Sequence, residues 1–105
     1  MVDVEFTSTA FLVLEALPQH IGFGIVTLSD HLRLHPEMGR IVSIQHAPPG
    51  QYRMLIYRGT HRLIYEYDET DNCIYVGAVQ DCRQKLPDAR ELRRDLPLGD
   101  ELPLE

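Results

Sequence analysis

The chain has no tryptophan, only two cysteines, and fewer bases (10) than acids (16). Its longest apolar runs are broken within a few residues by Pro, Gly, His or a charge, so no membrane span is expected. The opening MVDVEF has no basic region followed by an apolar one, so no secretory signal is expected. Cys73 and Cys82 fall on what reads as one strand. A strand rises roughly 3.3 Å per residue, which separates them too far to pair within it. Free thiols in a cytoplasmic protein are the expectation. No CxxC is present, so zinc and dithiol redox motifs have no support. GxSxG, HExxH and a phosphate-cradling glycine loop are also missing. The net charge of −6 argues against binding nucleic acid over a broad surface.

What is present suits one small domain. The chain has 105 residues, 44% hydrophobic and 25% charged, an ordinary composition for one globular core. The charge is uneven. From residue 87 onward there are six acids against Arg90, Arg93 and Arg94, which leaves ten acids and seven bases in residues 1–86. The body is mildly acidic, with room for a local basic patch. We therefore divide the chain into a body, 1–86, and a charged C-terminal helix or tail, 87–105. DARELRRDL reads as a short helix after Pro87, and LPLGDELPLE as a segment that lies along a partner or is mobile. Leu104 and Glu105 also fit a cloning scar.

Periodicity orders the body. VDVEF alternates as a half-buried strand does. A Thr or Ser among residues 7–9 then caps a helix over AFLVLEAL, which Pro18 ends. A second helix is predicted over 19–34, with Ile21, Ile25, Leu28 and Leu32 on one stripe. The short link makes the two helices an antiparallel hairpin. Strands are predicted over 40–46, 51–58, 61–67 and 73–79, with a tight hairpin near Gly59. The result is an α+β fold: an N-terminal strand, a two-helix hairpin, then a four-stranded antiparallel meander in one sheet.

The stretch QYRMLIYRGTHRLIYEYD carries Arg53, Arg58 and Arg62, with His61 beside the last, on the most strand-like part of the chain. A guanidinium keeps its proton and must be solvated or paired. Arg53, Arg62 and Arg83, with Lys85 close behind, form one phosphate-binding set if the strands bring them to one concave side. Such a set also stabilises the charge that develops as a phosphodiester is cleaved. The competing reading is structural: Arg62 pairs with Glu66, Asp68 or Glu37, and Arg53 lies at the sheet surface. His31 and His35 have a chelating spacing without a third ligand, so no metal site is expected. His61 fits either a general base or an ordinary strand residue.

The order HPEMGRIV, PPGQYRMLIYRGTHRLIYEYD, CIYVGAVQDCRQ resembles the RelE/ParE toxin superfamily of bacterial type II toxin–antitoxin systems. The shared features are Pro36, Gly39 and Arg40 after the helices, Arg53 on the next strand, the run His61–Tyr65, and Val79–Arg83 ending the last strand. The resemblance spans residues 2–85. It implies a cognate antitoxin as partner, a homodimer or a toxin–antitoxin hetero-oligomer, and no cofactor. RelE-like members cleave mRNA on the ribosome with several basic residues, and ParE-like members inhibit DNA gyrase. Carried over, Arg53, Arg62 and Arg83 are the catalytic residues of a metal-independent RelE-like endoribonuclease. Arg53, Arg58, His61, Arg62, Arg83 and Lys85 form the target- or phosphate-binding surface. Leu55 and Asp81 stand where RelE-like members carry a base and a histidine, and no tyrosine follows Arg83. These departures lead to the expectation of a ParE-like, gyrase-binding toxin. The RelE-like nuclease is the alternative, and a non-toxic binding scaffold the third.

Overall fold

A computed structural model of the protein describes residues 1–93. Thr7 decides where the first helix starts. Its hydroxyl accepts from the Ala10 amide at 3.2 Å, which satisfies one of the free donors at a helix N-terminus. Helix α1 then spans Ser8–Ala16 and ends at Leu17, before Pro18. Helix α2 spans Gln19–His31, shorter than the expected 19–34. The chain tightens there through Leu32, Arg33 and Leu34 amides donating to carbonyls three residues back, which are 3₁₀-type turns rather than α-helix.

Five strands follow the expected order: β1 (Asp3–Phe6), β2 (Arg40–Val42), β3 (Tyr52–Tyr57), β4 (His61–Asp68) and β5 (Cys73–Asp81). They form one sheet in the order β1-β5-β4-β3-β2. The meander is antiparallel, and β1 joins β5 in parallel, making the sheet mixed. Strand β2 stops at Val42, short of the expected residue 46. The chain turns after it, with the Ala47 amide donating to Ile44 and His46 at φ 67°, and Ile44 drops into the core.

Two apolar clusters lie on opposite faces of the sheet. On the helix side, Ala10, Leu14, Ile25 and Leu32 meet Leu63, Tyr65, Ile74, Val76 and Val79. On the other side Ile44, Tyr52, Met54 and Ile64 gather around Leu92. Each large aliphatic side chain removed from water contributes about 1.5–3 kcal/mol, so Leu92, 2% exposed, holds its segment firmly. Gly77 makes this possible. A Cβ there would lie 2.8 Å from the Leu92 carbonyl oxygen, closer than any side chain tolerates. Gly77 is also the unpaired residue of a bulge, because Ile64 faces Ala78 while Tyr65 faces Val76.

The helix expected after Pro87 is absent over Asp88–Arg93. A capping box does form: Asp88 accepts from the Arg90 and Glu91 amides, and Glu91 accepts from the Asp88 amide. The backbone bonds that follow span only three residues, Glu91 to Asp88 and Leu92 to Ala89. These are successive tight turns rather than α-helix. The rest of the expected helix and the LPLGDELPLE ending lie outside the described residues.

Candidate functional site

Strand register sorts the basic residues. Directly opposed residues of an antiparallel pair share a face. Arg53 opposes Tyr65, Leu55 opposes Leu63, and Tyr57 opposes His61, while Ile56 opposes Arg62. Leu63 and Tyr65 belong to the helix-side cluster. Arg53, Leu55, Tyr57 and His61 therefore lie on the helix-covered face, and Arg62 on the other. The three arginines expected to converge do not do so.

Arg53 serves the chain that leaves α2. Its guanidinium donates to the carbonyls of Gly39 at 2.8 Å and Glu37 at 3.3 Å. Tyr65, fully buried, completes the clamp. Its hydroxyl donates to the Pro36 carbonyl and accepts from the Gly39 amide, both at 2.9 Å. Burial pushes the phenol pKa up, against the opposing pull of the Gly39 hydrogen bond and the Arg53 charge. Gly39 is required by proximity, since a Cβ there would sit 2.8 Å from the Met54 carbonyl oxygen. Around Arg53 runs a groove of about 370 Å³ that also exposes Glu37, Glu66, Asp68 and Glu69. Carboxylates at this density disfavour a phosphate ligand.

Arg83, 91% exposed in its side chain, is neutralised by a neighbour. Its Nε and Nη2 donate to the two oxygens of Asp81 at 3.0 and 3.1 Å, and its amide donates at 2.8 Å. These bonds lower the Asp81 pKa to about 2, so the carboxylate at the end of β5 is a poor general base near neutral pH. His61 opposes Asp81 across the sheet, and its Nδ1 lies 2.9 Å from the Thr60 hydroxyl. Arg58 sits at the hairpin tip with φ 52°, its guanidinium 5.5 Å from the Tyr57 ring centroid.

The open face has a different character. Arg62 is fixed by neutral acceptors: Nε donates to Gln80 Oε1 at 2.7 Å and Nη2 to the Gln84 carbonyl at 2.5 Å. The expected pairing with Glu66, Asp68 or Glu37 does not occur, and the guanidinium keeps its full charge. Arg40 opposes Met54 and so falls on this same face, exposed. Lys85 follows Gln84, and its carbonyl accepts from Gln80 at 3.3 Å. Among the described residues, none of the ion pairs involves Arg40, Arg62 or Lys85. Ile56, 44% exposed, lies on this face between the two arginines. Held side-chain donors with uncompensated charge are what a phosphate ligand requires. Sequence reasoning placed Arg40 among the fold markers and missed it here, because the β2–β3 register assigns its face.

No family model matches the chain, and no curated protein matches it. Solved structures do. A chain of the RelBE2 toxin–antitoxin complex from Mycobacterium tuberculosis is 26% identical, with a TM-score of 0.64 over 76% of this chain and 96% of that one. The isolated E. coli RelE toxin is 14% identical, with a TM-score of 0.64 over 81% and 88%. A chain of the intact E. coli RelBE toxin–antitoxin complex is 13% identical, with a TM-score of 0.66 over 80% and 100%. The fold is that of the RelE/ParE toxin superfamily.

Proposed function

We propose that this chain is the toxin of a type II toxin–antitoxin pair, neutralised by a cognate antitoxin, and that it acts RelE-like on ribosome-bound mRNA. The observation that carries this is the likeness of the whole body, including the 26% identical chain of the M. tuberculosis RelBE2 complex. The gyrase reading drew on three departures, Leu55, Asp81 and the lack of a tyrosine after Arg83, and the first two lie off the open face. Leu55 opposes Leu63 on the helix side and packs against that core, so its lack of charge leaves the Arg62 face untouched. Asp81 also lies on the helix side, opposite His61.

In this proposal Arg62, oriented by Gln80 and Gln84, grips a phosphodiester oxygen and stabilises the charge that grows on it during cleavage. Arg40 and Lys85 hold the flanking phosphates. The acidic remainder of the protein disfavours free RNA, which fits a substrate presented by another particle. Arg53, Arg58, His61 and Arg83 keep supporting or peripheral roles.

The test is expression in a host without the partner, with and without the upstream open reading frame. Growth arrest that the neighbouring frame relieves, with new 5′ ends on ribosome-bound mRNA that disappear in Arg62→Ala, is the expected result. Arrest with inhibited supercoiling and intact mRNA would restore the gyrase reading. Harmless expression would leave a binding scaffold of this fold.

A further inference from the structure

Beside Arg62 lies a cavity of about 350 Å³, lined by Gln45, Gln80, Gln84, Lys85, Asp88 and Glu91 among others. Its size falls in the range of small-ligand sites. Gln80 and Gln84 are the two residues that hold the Arg62 guanidinium, so the cavity wall begins one hydrogen bond from the proposed phosphate grip. The Gln45 carbonyl accepts from the Ala89 amide at 2.9 Å, which fixes the opposite wall to the C-terminal segment. The polar groups of the lining divide into engaged and open ones. Gln80 is engaged at both ends, its oxygen by Arg62 and its nitrogen by the Lys85 carbonyl. Gln84 Oε1 accepts from the Asp81 amide at 2.9 Å, which leaves its NH2 group. Glu91 Oε1 accepts from the Asp88 amide at 2.9 Å, which leaves Oε2. Among the described residues, the Gln45 side chain has no hydrogen bond, so its acceptor and its donors are both open.

We infer that this cavity receives a nucleobase of the strand whose phosphate Arg62 grips. One sugar separates a base from its phosphate, and one hydrogen bond separates the cavity wall from the guanidinium. Single-stranded RNA leaves base edges open to such contacts. The open groups match an edge with an amine beside a ring acceptor. The amine donates to Glu91 Oε2 and Gln45 Oε1, and the ring nitrogen accepts from the Gln45 or Gln84 amide. Adenine and cytosine present that edge. Uracil has no amine and turns a carbonyl toward the Glu91 carboxylate, where neither group can donate. The cations alone cannot make this distinction, because phosphate contacts carry no sequence information. The pocket rests on the RNA-directed function proposed above and adds base selectivity to it.

The experiment titrates the full chain at low salt with short, fluorescent uridine oligomers. Each carries adenine, cytosine, uracil or an abasic ribose at one central position. The adenine and cytosine oligomers are expected to bind about tenfold more tightly than the other two, the low end for a good side chain–base pair. Gln45→Ala keeps the backbone bond to Ala89 and should bring adenine and cytosine close to the abasic level. Glu91→Gln keeps the oxygen that accepts from Asp88 and gains a donor, so it should raise uracil and narrow the gap. Equal binding of all four oligomers would overturn the pocket, and its loss in Arg62→Ala would leave the phosphate grip standing. Binding of none of them would overturn the pocket as well. So would a base preference that survives Gln45→Ala, since the base is then read elsewhere. Absence of mRNA cleavage in cells, with the base preference kept in vitro, would count against the nuclease and leave the pocket in place.

Discussion

At the scale of single residues, two arginines nine positions apart have different work. Arg53 and Tyr65 hold the turn at 36–39 against the sheet. Tyr65→Phe removes a buried hydroxyl and leaves the Gly39 amide and the Pro36 carbonyl without it. A loss of about 1–3 kcal/mol in urea unfolding is expected. Arg53→Met loses about 1 kcal/mol in the same measurement, with RNA affinity unchanged. Arg62→Ala is expected to do the reverse: little change in unfolding midpoint, and weaker RNA binding. Equal losses of RNA affinity in both arginine variants would contradict the division. Asp81 gives a pH-dependent test. Its pKa is depressed in the folded protein, chiefly by the Arg83 hydrogen bonds, so its stabilising contribution is present above the ordinary carboxylate pKa and disappears as pH falls through about 2. Arg83→Ala should return the Asp81 titration, followed by carboxyl NMR, to about 3.9. An Asp81 pKa unmoved by that change would mean that Arg83 is not its cause.

At the scale of elements, close backbone approach sets what can be changed. Gly77→Ala presses a Cβ against the Leu92 carbonyl, which belongs to main chain and has little room to give. It should destabilise by about 1–3 kcal/mol and speed amide exchange over residues 86–93 more than over α1 or α2. Gly24→Ala first meets the ring end of Tyr57, a side chain that can swing, and should be the milder change. Uniform loosening in Gly77→Ala would argue against a specific seat for the segment. Element order was legible because turns and periodicity are local: Thr7, Pro18 and Gly59 each mark a boundary by backbone chemistry. The face of each arginine was not legible. The expected strand bounds leave a two-residue loop at 59–60, which would have set Arg62 opposite Tyr57, on Arg53's side. The loop instead spans 58–60, Tyr57 faces His61, and the one-residue difference carries Arg62 to the other face. The seat of Leu92 was hidden for a similar reason, since its partners are distant in sequence and its local pattern suggested a helix.

At the scale of the whole molecule, a net charge of −6 coexists with one cationic face. This combination predicts how RNA binding responds to salt. Binding of single strands weakens with a log–log slope of roughly −0.7 per phosphate neutralised. A broad basic surface would give a steep slope. Three cations, Arg40, Arg62 and Lys85, give a slope of about −2, measured by fluorescence anisotropy with a short single-stranded RNA. Arg62→Ala should make the slope shallower by about 0.7. Arg83→Ala should leave it unchanged, because Asp81 already neutralises that side chain. Arg53→Met should also leave it unchanged, because its groove is lined by carboxylates. A slope that responds to Arg53 or Arg83 as strongly as to Arg62 would move the binding surface off the open face. It would return the phosphate site to the arginine set read from the sequence.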